Sequence, residues 1–431
     1  MGRTQKGLEV TTDCQKAVAS IDYFHQQILS AGLNGSLILD AAKSYPDVVL
    51  IQSYAAAFCL FSQENEASNK AKNFLMVAAT HLDASNLREK LIYGAIVQWY
   101  KRDYFKAIEL FNKTITLFPQ DTLVLKFLEW LYYCTGQVAQ AENFLRSCTL
   151  CAPYNNNDPY FLATYSFAME LSGEYERARE TAEAAISLNN ATGWAHHTLA
   201  HVYLLTNDMA GGIKRLNNLK VHWDGANPLL KEHNNWHLAL FHLAQRNQEE
   251  VLALYPSVFG ILPQTILEQI DAISLLWRLE MAGFTQDKLI YRVAGYLEKH
   301  PFEYFTGFNN AHFIYGLVKS GQKEQAKKSL DLMKKYIGSL PINSLWKEVF
   351  YPWSKAIYAF SNEDYRKAEK LIAPVIGKYT QLGGSDAQTE LFTQTYLLSL
   401  IRSGQQKAAN VFFKNHLSHY KNTALAEWWF T

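Results

Sequence analysis

The chain has 431 residues and a formal charge of +1, with 41 Lys and Arg against 40 Asp and Glu. That balance excludes a nucleic-acid binder held by a clustered basic excess. An apolar share of 48% excludes a disordered chain, and 22 Gly with 11 Pro suit long helices joined by short connections.

The N-terminus, MGRTQKGLEV, has no apolar stretch of the kind a secretory signal needs. Gly2 invites comparison with a myristoylation site, but Lys6 stands where that motif wants Ser or Thr. No apolar run reaches membrane-spanning length, so no membrane partner is expected. Five Cys are too few and too scattered for a disulfide framework. They fit a reducing compartment and a cytoplasmic location. Cys148 and Cys151 read as two small residues near a helix end.

Residues 1–87 read as helical and irregular, an N-terminal region that caps a helical array. Beyond it short strings recur: RDYFKAIELF from Arg102, GQVAQAENFL from Gly136, GEYERARETA from Gly173, GQKEQAKKSL from Gly321, EDYRKAEKLI from Glu363 and GQQKAANVFF from Gly404. Each places Ala five positions on, at Ala107, Ala141, Ala178, Ala326, Ala368 and Ala409. Units starting near Arg88, Thr122, Pro159 and Gly193 are 34, 37 and 34 residues apart, the period of the tetratricopeptide repeat. Each unit should be two antiparallel helices. A turn residue, Gly or Asn, reaches φ > 0, and the small Ala permits close helix contact. The predicted fold is all-α, a tetratricopeptide-like solenoid of helical hairpins. Repeats cover 88–227, and 228–431 continues the array as divergent helical pairs with longer loops.

Two histidine pairs stand out. WAHHTLAH contains His197 and His201, and EHNNWH contains His233 and His237. Four apart on a helix is one face. His197 lies ten residues before Asn207 and His237 ten before Asn247, so they occupy equivalent positions on successive first helices. Those helices line the concave wall of such an array, and the four imidazoles form a diagonal patch there. Three readings compete. The patch holds a divalent transition metal on His197, His201, His233 and His237. It does acid–base chemistry, with His197 and His237 as candidate catalytic residues. Or its imidazoles are buried and hydrogen-bonded for structure. A clear carboxylate ligand is missing, since Glu232 adjoins His233 but points to another face.

Further candidates flank the patch. Trp194 and Trp236 would wall a small-molecule pocket. FNNAHF supplies Asn309, Asn310 and His312, one of the asparagines serving as a helix cap. Asp271, Ser274 and Arg278 share a helix face, where Arg278 pairs with Asp271 or anchors an anionic ligand. Ser385 and Gln388 form a capping box.

The strings GWAHHTLAHVY, EHNNWHLALF, LLWRLEMAG, FNNAHF and QLGGSDAQTELF together resemble the tetratricopeptide repeat protein 38 family, also described as StaR-like. The similarity runs from about residue 40 to about 400. The resemblance implies an all-helical repeat fold and leaves the biochemical function undefined. It carries the family's histidine-containing segments onto His197, His201, His233, Asn234, Trp236 and His237. The family tends to have Asp where this chain has Asn310, which removes one potential carboxylate ligand. The expected protein binds a small molecule in a His- and Trp-lined pocket, with metal-dependent or acid–base catalysis there. The alternative is an adaptor that holds a partner peptide in its concave groove.

Overall fold

Every one of the six recurring strings begins where the chain reverses. Arg102, Gly136, Gly173, Gly321, Glu363 and Gly404 all have φ between 62° and 92°. The Ala five positions on is fully buried in five strings and 8% exposed at Ala141. A computed structural model describes residues 1–342 and 344–431. The described residues are all-α, apart from one short antiparallel pair, β1 (Gly2–Arg3) and β2 (Glu9–Val10), in register Gly2 to Val10.

The expectation that only Gly or Asn takes the left-handed turn position needs correction. Arg102, Arg246 and Glu363 also hold φ between 54° and 65°. An L-residue there costs roughly 1–2 kcal/mol. At each of these turns, and at Asn207, the next residue is Asp or Asn, and its side chain caps the following helix. Asp103 accepts from the N–H of Lys106 at 3.2 Å, Asp208 from Gly211 at 2.9 Å, Asn247 from Glu250 at 3.4 Å and Asp364 from Lys367 at 3.2 Å. Such a cap contributes about 1 kcal/mol and offsets much of the strain.

The chain divides into two compact units. The first comprises Met1–Thr135, Gln140–Thr198 and His222–Asn227. Its helices are α1 (Gln15–Ser30), α2 (Leu37–Ser44), α3 (Val49–Leu60), α4 (Asn65–His81), α5 (Leu87–Tyr100), α6 (Tyr104–Leu117), α7 (Thr122–Thr135), α8 (Ala141–Asn155), α9 (Pro159–Leu171), α10 (Tyr175–Leu188) and the start of α11 (Gly193–Leu205). An aromatic core gathers on Phe127, whose ring centroid is 5.7 to 6.0 Å from Tyr54, Phe61, Trp99 and Phe111. A buried ion pair, Arg88 Nη1 to Asp121 Oδ2 at 2.7 Å, ties the starts of α5 and α7. Arg88 also donates to the Glu9 carbonyl at 3.0 Å, which pins β2 to α5.

The second unit comprises Gly136–Ala139, Leu199–Val221 and Pro228–Thr431. It holds the rest of α11, then α12 (Met209–Leu219), α13 (Pro228–Ala244), α14 (Gln248–Leu254), α15 (Ile266–Met281), α16 (Asp287–Ala294), α17 (Gly307–Lys319), α18 (Lys323–Gly338), α19 (Tyr351–Ser361), α20 (Tyr365–Ile372), α21 (Asp386–Arg402), α22 (Gln406–His416) and α23 (Ala424–Trp429). Its core centres on Trp277, stacked on Tyr315 at 4.2 Å and flanked by Phe360 and Phe392 at 6.2 Å each. The C-terminal segment lies against successive hairpin turns. Lys421 O accepts from Asn207, and the Trp428 ring covers Arg246 at 4.1 Å. At Gly283 (φ 88°) a Cβ would fall 2.5 Å from that same Trp428 ring, so both the backbone and the contact require Gly. No helix among the described residues is long and apolar enough to cross a membrane.

Candidate functional site

Four helices of the second unit build the site. Helix α13 presents His233, Trp236 and His237 along one side. The i, i+4 spacing brings His233 Nε2 and His237 Nε2 to 3.2 Å. Helix α11 supplies His201, whose ring centroid is 4.6 Å from that of His237. Ring nitrogens of His201 and His237 lie within 4.8 Å of each other. Two aspartates hold the outer rings. His233 Nδ1–H donates to Asp271 Oδ2 on α15 at 2.7 Å, and His201 Nδ1–H donates to Asp386 Oδ1 on α21 at 2.6 Å. The array therefore runs Asp271, His233, His237, His201, Asp386.

The carboxylates set the chemistry of the rings. A proton held on Nδ1 by Asp271 leaves His233 Nε2 facing His237. One proton lies between these two facing Nε2 atoms. Trp236 forms one wall. Its indole stacks on His233 at 5.2 Å with 10° between planes and meets His237 edge-on at 4.8 Å. His201 and His237 are fully buried, while the side chains of His233 and Asp386 keep 16% and 18% of their surface open. The array thus reaches solvent at two points, His233 and Asp386.

Glu232 and His233 point to different faces, as their adjacency requires. Glu232 is buried toward Glu268, and Glu268 accepts from the backbone N–H groups of Gly260, Ile261 and Leu262. Burial, and then the Glu268 charge, push the Glu232 carboxyl up to about 9. It is a neutral acid at neutral pH.

The remaining sequence candidates have contacts of their own. His197 lies in the part of α11 that belongs to the first unit. Its ring packs against Phe167 at 4.9 Å and Trp194 at 5.6 Å. Trp194 is covered by the Lys126 ammonium at 4.0 Å. Asn234 is buried on α13 beside the array histidines. Arg278 does not pair with Asp271, because Asp271 is taken by His233. Its guanidinium donates to Ser274 Oγ and to the Ala387 carbonyl at 2.6 Å, and it sits 5.3 Å from the Trp236 ring. Arg278 thereby fixes the start of α21, next to Asp386. No asparagine caps α17: Thr306 does, accepting from the Asn309 N–H at 3.2 Å. The Asn310 amide donates to the carbonyls of Pro301 at 3.4 Å and Glu303 at 3.3 Å. His312 donates from Nδ1 to the Phe308 carbonyl at 2.8 Å, and burial pulls its pKa down to about 3. Its ring lies among Phe308, Trp277 and Phe392. Ser385 and Gln388 form the expected capping box at the start of α21.

The sequence points to the histidines and not to their carboxylates. Asp271 reads there only as a partner for Arg278. A usable signal exists, since Asp271 is 38 residues beyond His233, close to one repeat period. Asp386 is 185 residues from His201, and no local pattern joins them. A scan against protein-family models found no match for this chain.

Proposed function

We propose that this protein binds a small polar molecule at the imidazole array of its second unit, with His233 as the ring that meets the ligand. The observation that carries this reading is the pair of aspartates on Nδ1 of His201 and His233, at 2.6 and 2.7 Å. Burying His201, His237 and Asp271, and most of His233 and Asp386, costs free energy that an apolar contact of the same volume would not. Rings held in one tautomer by carboxylates are what a binding or reacting centre needs, because the acceptor nitrogen is then aimed before the ligand arrives. His233 is the array ring with access to solvent, and Trp236 gives it an aromatic wall.

In the same reading the hairpins stack as a tetratricopeptide-like solenoid, the chain belongs with the tetratricopeptide repeat protein 38 family, and it works in the cytoplasm. The 34-residue spacing and the buried Ala of each hairpin support the first of these.

Saturation-transfer NMR against a panel of small carboxylates, amines and sugars tests the proposal. At least one compound should bind the wild-type protein, and His233→Ala should lose it while keeping its helical circular dichroism. If no small compound binds and a peptide library does, the protein is an adaptor instead.

A further inference from the structure

We infer that the groove between α12, α13 and α14 binds an elongated zwitterion, with its acidic group at Lys220, its basic group at Glu250 and an apolar stem between them. This groove is a second site, separate from the imidazole array.

The helices set its shape. On α13, Leu238 and His242 are four residues apart and share one side. Leu238 is the residue after His237, so it points about 100° away from the array. Helix α12 contributes Ile213, and Lys220 follows its last residue. Helix α14 contributes Glu250 and Leu254. Together they line a cavity of about 610 Å³. That volume falls within the roughly 300–1,000 Å³ of small-molecule sites. Along α12 the lining runs from Ala210 to Lys220, a rise of about 15 Å at 1.5 Å per residue. The cavity is therefore long, and it suits a long occupant.

Its two ends carry opposite charge. Lys220 is partly buried, and burial together with the Lys231 charge disfavours its ammonium. An acidic group placed there would relieve both effects. At the other end Glu250 is exposed, and its charge acts on His242. Burial outweighs that charge and holds the His242 pKa below its ordinary value, so the ring is neutral at neutral pH and adds no positive charge there. Among the described residues neither Lys220 nor Glu250 forms an ion pair, so each charge is available to a ligand. Ile213, Leu238 and Leu254 give the stem an apolar wall. Charge complementarity at both ends selects a molecule with an acid and an amine separated by hydrocarbon.

Isothermal titration of the full-length protein with 8-aminooctanoate, octanoate and octylamine tests the inference. We expect 8-aminooctanoate to bind at one equivalent, about 10-fold or more tighter than either probe that lacks one charge. Lys220→Met should weaken 8-aminooctanoate by about 10-fold and leave octylamine unchanged, while Lys220→Arg should keep the affinity. Glu250→Gln should weaken 8-aminooctanoate to a similar degree and leave octanoate unchanged. His233→Ala should have no effect. Circular dichroism of each variant checks the fold. No binding of 8-aminooctanoate, or equal binding of all three probes, would overturn the inference. So would binding that Lys220→Met and Glu250→Gln both leave intact. Loss of the probe in His233→Ala would overturn this groove as the site and place the molecule at the array.

Discussion

Asp386 and Glu390 stand one turn apart on α21 and each holds a histidine from a different part of the chain. Asp386 accepts from His201, and Glu390 accepts from His419 as well as from Tyr420 at 2.7 Å and Gln394 at 2.8 Å. The helix turn that orients the imidazole array therefore also anchors the C-terminal segment, so the two are coupled mechanically through α21.

The Glu390 anchor should give the protein an alkaline weakness. Burial alone would lower the His419 pKa, but the Glu390 charge and hydrogen bond outweigh it and raise it. A raised folded-state pKa means stability fully present below the unfolded value of about 6.5 and lost as pH rises through the folded value. Urea unfolding of wild type should therefore show this contribution falling away as pH rises above about 6.5. Glu390→Gln should flatten that slope and cost about 3 kcal/mol near pH 6, as expected when one partner of a buried pair is removed. Identical slopes would reject the anchor.

His312 should act on the acid side. Its pKa is held at about 3 by burial, against 6.5 for an ordinary histidine. Between those values the unfolded chain takes a proton that the folded protein refuses, so stability falls as pH drops below about 6.5. His25, lowered to about 4 by burial, adds to the same loss. In His312→Gln the decline from pH 6.5 to 4 should be shallower, measured by the urea midpoint. An unchanged decline would mean that His312 protonates without unfolding.

Helix packing in the first unit makes a size prediction. Ala178 is fully buried. Ala178→Leu should overpack its contact and cost roughly 1–3 kcal/mol in urea unfolding. A shift within error would mean that the small residue is not required there.

Gly283 makes a prediction with two separable parts. Gly283→Ala meets both a left-handed backbone and the Trp428 ring. Combining it with Trp428→Ala should recover the steric part and leave the backbone part, roughly 1–2 kcal/mol. Strict additivity of the two changes would show that the ring can move aside freely.

The helical hairpins are legible in the sequence because their signals are local. A left-handed residue and a small residue five positions on fall within one short stretch of chain, as at Gly173 and Ala178. Arg102 and Glu363 escape because their strain is offset by the capping side chains of Asp103 and Asp364, which composition alone does not reveal. The histidines are legible because i, i+4 spacing is a property of one helix. Their aspartates are not, because Asp386 meets His201 only after the intervening helices have packed. Arg278 shows the same limit. Its spacing from Asp271 allows an ion pair, but His233 arrives from α13 and takes the carboxylate.

The most direct test of the aspartate-held array is histidine-selective ¹⁵N NMR on metal-free protein at neutral pH, assigned with His201→Gln and His233→Gln. Both rings should carry a proton on Nδ1, with downfield Nδ1 protons that move in Asp386→Asn and Asp271→Asn respectively. Unprotonated Nδ1 at both rings, or ring signals indifferent to the aspartate changes, would contradict it.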